Sequence, residues 1–299
     1  MARRSRTPPL TAALAAAVTL LAGALTAGGW AHARGGDRVD IADAERAVVV
    51  PAGPGRYDFD CGTNAAGHRN TANVVVTPGV LGPAHHVHDY VGNLSTGPHS
   101  TDESLRGAAT SCGNGDRSTF YWPVLRAGDE HSEILTPSSV RMEYLSSAAG
   151  PVVAPPSGLR AMTGDARAAT GGTAGIRAWT CEGAEDRRTD RYPRCPAGRE
   201  LRRVFEFPSC WDGLHADSAG HRRHLTFPGP DGACARGTFA VPRLRVTVGY
   251  RVSGAFTVDA FAEQRRSPRT DHGIMINLAP GRLMADIVAC LNQGRACTA

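Results

Sequence analysis

The sequence predicts a mainly β protein: an antiparallel β-sandwich or jelly-roll-like single domain with long loops and a C-terminal helix. Three observations lead there. Short β-prone runs recur from Tyr57 onward, cut by Gly, Pro, Asn and Ser. Within one of them, Leu244-Arg245-Val246-Thr247-Val248-Gly249-Tyr250 alternates apolar and polar residues, as a strand with one face in a core does. Eight cysteines supply the cross-links of a loop-rich exported domain.

The chain opens on Met1-Ala2-Arg3-Arg4-Ser5-Arg6, continues through an uncharged stretch from Leu10 to Ala27, and reaches Ala31-His32-Ala33. A positive start, an apolar middle and an A-x-A end are the parts of a secretory signal, so residues 1–33 are expected to be cleaved and the protein to be extracellular. Residues 34–55 read as a flexible N-terminal arm with one strand at Ala47–Val50, and residues 56–299 as a single disulfide-bonded domain. Strands are expected at Asn73–Thr77, Val87–Val91, Phe120–Leu125, Val140–Tyr144, Leu159–Thr163, Ile176–Cys181, Arg203–Phe207, Phe239–Val252 and Gly273–Leu278. Segments 146–158 and 164–175 read as loops. Leu283, Ile287 and Leu291, with Met284 and Val288, form an apolar stripe that predicts a helix stopping before Gly294.

The formal net charge is +5, and removing residues 1–33 takes away Arg3, Arg4, Arg6 and no acid, leaving +2. With no clustered basic face, nucleic acid is not an expected partner. No later segment is long and apolar enough to span a bilayer, so no membrane association is expected after cleavage, and the protein is expected to be monomeric. Proximity favours the bridges Cys181–Cys195, Cys210–Cys234 and Cys290–Cys297, leaving Cys61 with Cys112. Zinc held by cysteines is not expected, because no closely spaced Cys pair exists.

Two clusters could carry chemistry. In Pro83-Ala84-His85-His86-Val87-His88-Asp89, a strand would send His86 and His88 to one face, where two imidazoles can grip a metal ion or act as an acid–base pair. The second cluster, from Phe207 to His224, offers Asp212, His215, Asp217, His221 and His224 after Trp211, with Asp217 placed to orient His221. The plain alternatives are a histidine-rich edge strand and turn-capping aspartates. Tyr121 and Trp122 could stack on a sugar, although an aromatic pair is more often core, and His272 matters only if the fold brings it to the other histidines.

At these residues the chain resembles the secreted DUF1996 family of fungi and actinobacteria. The resemblance rests on His86, His88, Gly92 and Asn93, on Tyr121-Trp122-Pro123, and most on a long block. That block comprises Phe207, Pro208, Ser209, Cys210, Trp211, Asp212, Gly213, Ser218, His221, His224, Phe227 and Pro228. Cys234, Val241-Pro242-Arg243-Leu244 and Asp271-His272-Gly273 also fit, while His85 and the second terminal cysteine, Cys297, depart from the pattern. The resemblance assigns no mechanism; it implies a secreted domain with a polysaccharide or cell-wall material as substrate or partner. The expected function is therefore a carbohydrate-active enzyme, a polysaccharide lyase or hydrolase. Its centre is His86, His88, Asp217, His221 and His224; Tyr121, Trp122, Asp212 and His272 contact substrate. No cofactor is expected on that reading. The alternatives are zinc or copper held by the histidines, or a non-catalytic wall-binding protein.

Overall fold

A computed structural model describes residues 37–80, 86–128, 132–170 and 175–299. The signal expected over residues 1–33, and His85, lie outside the described residues. Two sheets carry the fold. Their strands are β1 (Ala52–Phe59), β2 (Arg69–Asn70), β3 (His88–Gly92), β4 (Thr119–Pro123), β5 (Ser139–Ser147) and β6 (Arg160–Gly164). β7 (Trp179–Cys181), β8 (Leu201–Glu206), β9 (Arg243–Tyr250), β10 (His272–Ile276) and β11 (Ala296–Thr298) follow. The six-stranded sheet is ordered β7-β8-β9-β5-β1-β11 and the five-stranded sheet β2-β3-β4-β10-β6. Neighbours are antiparallel except β11, which runs parallel to β1.

The alternation read in β9 holds. Leu244, Val246 and Val248 are buried, while Arg245 points outward. There its guanidinium bridges Glu143 and Glu206 on the two flanking strands, at 3.1 and 2.6 Å. The sheets pack face to face through rings: Trp122 of β4 stacks on Phe205 of β8, and Phe120 meets Phe59 of β1. The five-stranded sheet is buried on its other face as well. Tyr90, Tyr121, Ile274 and Ile276 form a second core there with Ala72, Val74, Val75 and Leu105.

A short helix α1 (Asp102–Arg106) lies between β3 and β4 in the chain; the C-terminal helix α2 (Gly281–Asn292) buries Met284, Ile287, Cys290 and Leu291, and Gly294 takes the left-handed conformation after it. It lies so close to β1 that a Cβ on Gly55 would collide with the Leu291 carbonyl oxygen. The bridges are Cys61–Cys112, Cys181–Cys195, Cys210–Cys234 and Cys290–Cys297. No helix among the described residues is long and apolar enough to cross a membrane.

Three expectations need correction. The described part of the arm is docked: Arg38–Asp40 pairs with Tyr192–Arg194, and the Arg38 guanidinium lies over the Tyr192 and Phe256 rings. No strand forms at 47–50, where Val48 and Val49 are exposed; the strand begins at Ala52. Segment 73–77 is a turn, closed by the Thr77 N–H on the Asn73 carbonyl and the Val76 N–H on the Asn73 side chain.

Candidate metal centre

The order β3-β4-β10 brings distant histidines together. His88 pairs with Pro123 across one side of β4. On the other side Ile274 pairs with Tyr121, which puts His272 level with Pro123. Residues facing one another across a sheet share a face, so His88 and His272 flank the proline ring on the outer face. His86, two residues before His88, turns its ring to the same place: its centroid lies 4.5 Å from that of His88 and 5.0 Å from that of His272. The spacing read from His86-Val87-His88 thus delivers two imidazoles to one point, and the sheet delivers the third.

Their nitrogens converge. His86 Nε2 is 3.2 Å and His88 Nε2 is 3.4 Å from His272 Nε2. Each histidine offers a nitrogen within 4.8 Å of those offered by the other two. Imidazoles bound to one tetrahedral zinc at about 2.0–2.1 Å place their nitrogens roughly 3.3 Å apart. The tautomer of His272 is fixed by geometry. Its Nδ1 lies 2.8 Å from the Thr270 carbonyl, which only accepts, so Nδ1 carries the proton and Nε2 presents a lone pair. That lone pair faces the nitrogens of both His86 and His88, so the three rings could share one ion at the common point.

All three rings are buried. Burial pushes the His272 pKa down and keeps the imidazole neutral, the state that ligates metals. Around the trio stand aromatic rings: Phe261 edge-on to His86, and Tyr121 and Tyr90 edge-on to His88. Burial raises the pKa of both phenols, so they stay neutral.

The single centre expected from the sequence divides in two. His224 Nε2 donates to the carbonyl of Arg160, at one end of β6, whereas His272 pairs with Gly164 at the other end. Four residues of strand separate the two points by roughly 13 Å. In the second cluster His221 Nδ1 lies 2.8 Å from Asp217 Oδ1, and the other Asp217 oxygen faces Arg160 at 3.5 Å. His224 is buried, its ring tied at Nδ1 to Ser218 Oγ and at Nε2 to the backbone. Both ring nitrogens of His224 are spent, Nδ1 within its own loop and Nε2 on tying that loop to β6. Asp212 caps its own turn: it accepts the N–H groups of His215 and Leu214 and lies 2.7 Å from the His215 ring. These contacts outweigh desolvation and bring its pKa down to about 2.

Tyr121 and Trp122 are placed otherwise than a sugar platform requires. Tyr121 is 0 % and Trp122 1 % exposed, one in each core. Stacking on a ligand needs an accessible ring face, and both rings spend theirs on protein. His272, expected in support, joins His86 and His88 at the centre.

Arg203, which sequence reasoning passed over, lies beneath the trio. It is fully buried, with its guanidinium over the rings of Trp179 and Phe205, and it pairs in a fork with Asp271. The one available signal was its place in Leu201-Arg202-Arg203-Val204-Phe205, where a charge stands in phase with inward-facing Leu201 and Phe205.

A comparison with protein-family models matches residues 73–273 to the domain of unknown function DUF1996. No curated protein and no solved structure matches the chain.

Proposed function

The chain belongs to the DUF1996 family, and from that premise we propose that it is an exported metal-dependent enzyme acting on polysaccharide outside the cell. The observation that carries the metal is the convergence of two imidazole nitrogens, of His86 and His88, on Nε2 of His272, at 3.2 and 3.4 Å. His86, His88 and His272 hold the ion, and zinc is the ion their spacing suits. Held by these three histidines, the ion would supply Lewis-acid activation of a water or a substrate oxygen near neutral pH. The four disulfides support export, since such bridges persist in oxidising compartments. Polysaccharide as substrate rests on the family resemblance.

Metal analysis of the protein dialysed against zinc, combined with activity on a panel of polysaccharides with and without chelator, tests the reading. The expected result is one ion per chain, its loss in His88→Ala, and activity that chelator abolishes and zinc restores. A folded protein that takes up no zinc or copper removes the metal. Activity indifferent to chelator and to His88→Ala moves the chemistry away from this centre.

A further inference from the structure

We propose that Arg203 is a positioning residue for the three-histidine centre, acting through Asp271 and the Pro123 carbonyl from the opposite sheet. The inference rests on the metal reading above and adds what holds the ligands in place.

The geometry begins with alternation. Consecutive strand residues point to opposite faces, so where His272 turns outward, Asp271 turns inward to the six-stranded sheet. Arg203 of β8 meets it there. Its Nε donates to Asp271 Oδ2 at 2.9 Å, and one terminal nitrogen donates to Oδ1. Asp271 Oδ1 also accepts the backbone N–H of His272 at 3.0 Å. The other terminal nitrogen of Arg203 donates to the Pro123 carbonyl at 2.8 Å and to the Tyr250 hydroxyl at 3.3 Å. Pro123 is the residue between His88 and His272. One guanidinium therefore fixes the backbone of β4 at the proline and the start of β10 at the ligand.

The same row carries a second ion pair. Asp89 follows His88, is fully buried, and accepts from Arg69 Nε at 2.6 Å and from the Asn64 side-chain amide at 2.8 Å. Each strand that brings a histidine to the centre thus has a buried carboxylate and an arginine next to that histidine. Stability alone does not call for this: a buried ion pair can commonly be replaced by well-packed apolar side chains without loss. A planar fork that sets the angle of the ligand-bearing backbone is something apolar packing does not provide. The aromatic rings around Arg203 leave it one orientation, since Trp179, Phe205 and Tyr250 all lie within 6.0 Å of its guanidinium carbon.

Cobalt(II) titration of the full chain, read by visible absorption and by calorimetry, tests the proposal on Arg203→Lys and Asp271→Asn. Lysine keeps the charge and loses the fork; asparagine keeps an oxygen for the His272 N–H and loses the ion pair. Both variants are expected to bind cobalt roughly 10- to 100-fold more weakly than wild type, with a shifted ligand-field spectrum, while circular dichroism stays native. Arg245→Lys, on the outer face of the sheet, is expected to bind as wild type does. If Arg203→Lys fails to fold, Asp271→Asn decides. Wild-type affinity and spectrum in the folded variants overturn the positioning role and leave the metal centre standing. A wild-type chain that binds no cobalt overturns the metal reading itself.

Discussion

Cys61–Cys112 encloses the segment that carries His86 and His88, and its removal gives the sharpest prediction about how the centre is supported. The bridges Cys61–Cys112, Cys210–Cys234, Cys181–Cys195 and Cys290–Cys297 span 51, 24, 14 and 7 residues. Loop-closure entropy then assigns them about 4.1, 3.4, 3.0 and 2.4 kcal/mol at 25 °C, in that order. Replacing Cys61 and Cys112 together by alanine is expected to cost about 4 kcal/mol, the largest loss among the four bridges. Equilibrium urea unfolding of the four double variants measures the series. The m-values must be fitted separately, because an uncrosslinked denatured chain exposes more surface. The Cys61/Cys112 variant is also expected to keep some zinc-dependent stabilisation, because the three histidines are set by strand register and not by the bridge. A ranking that puts the 7- or 14-residue loop first refutes the entropic account. Loss of all zinc-dependent stabilisation in a folded Cys61/Cys112 variant refutes the claim that register places the ligands.

Further outcomes follow from the same contacts. Asp116 is buried, accepts the Ser118 N–H at 2.8 Å, and has its pKa raised above 3.8 by desolvation. Between about 3.8 and the raised value, the folded form therefore holds a proton that the unfolded chain has released. Stability from this group is present at low pH and falls as pH rises from about 3.8 through the raised value. Asp116→Asn removes that dependence, so urea midpoints from pH 4 to 8 should show the variant gaining on wild type as pH rises; parallel profiles contradict it. Trp122→Ala is expected to lower stability by about 3–5 kcal/mol, because the ring fills the space between the sheets. Thermal unfolding beside a polysaccharide-binding assay checks this: a stable variant that has lost only sugar binding would restore Trp122 as a platform.

How much of this was legible in the sequence depended on how local each cause is. The alternation of β9 and the stripe of α2 were readable because one residue in two, or in three and four, reports its own face. β1 was not, because Gly53, Pro54 and Gly55 fall in the stretch read as a flexible arm. The glycines are there for crowding instead: a Cβ on Gly53 would lie 2.5 Å from the Ser147 carbonyl oxygen, and one on Gly55 would strike α2. Segment 73–77 misled in the other direction. Val74 and Val75 supply β-like hydrophobicity to the outer core while Asn73 closes a turn around them. At the centre, the pairing of His86 with His88 followed from spacing alone. His272 stands 184 residues from His88 and is joined to it by strand order, which no local pattern encodes. The Asp217–His224 block was dense enough to suggest chemistry, yet the His224 ring holds Ser218 and the β6 backbone. Arg203 was hidden among many arginines, because only the opposing sheet shows that its charge is buried.

Anomalous diffraction at the zinc edge, from crystals of the wild-type chain equilibrated with zinc, bears most directly on the central claim. A peak is expected about 2.0–2.1 Å from the Nε2 atoms of His86, His88 and His272. Zinc-equilibrated crystals with no peak at that point, or with zinc bound only at Asp217 and His221, would contradict the claim.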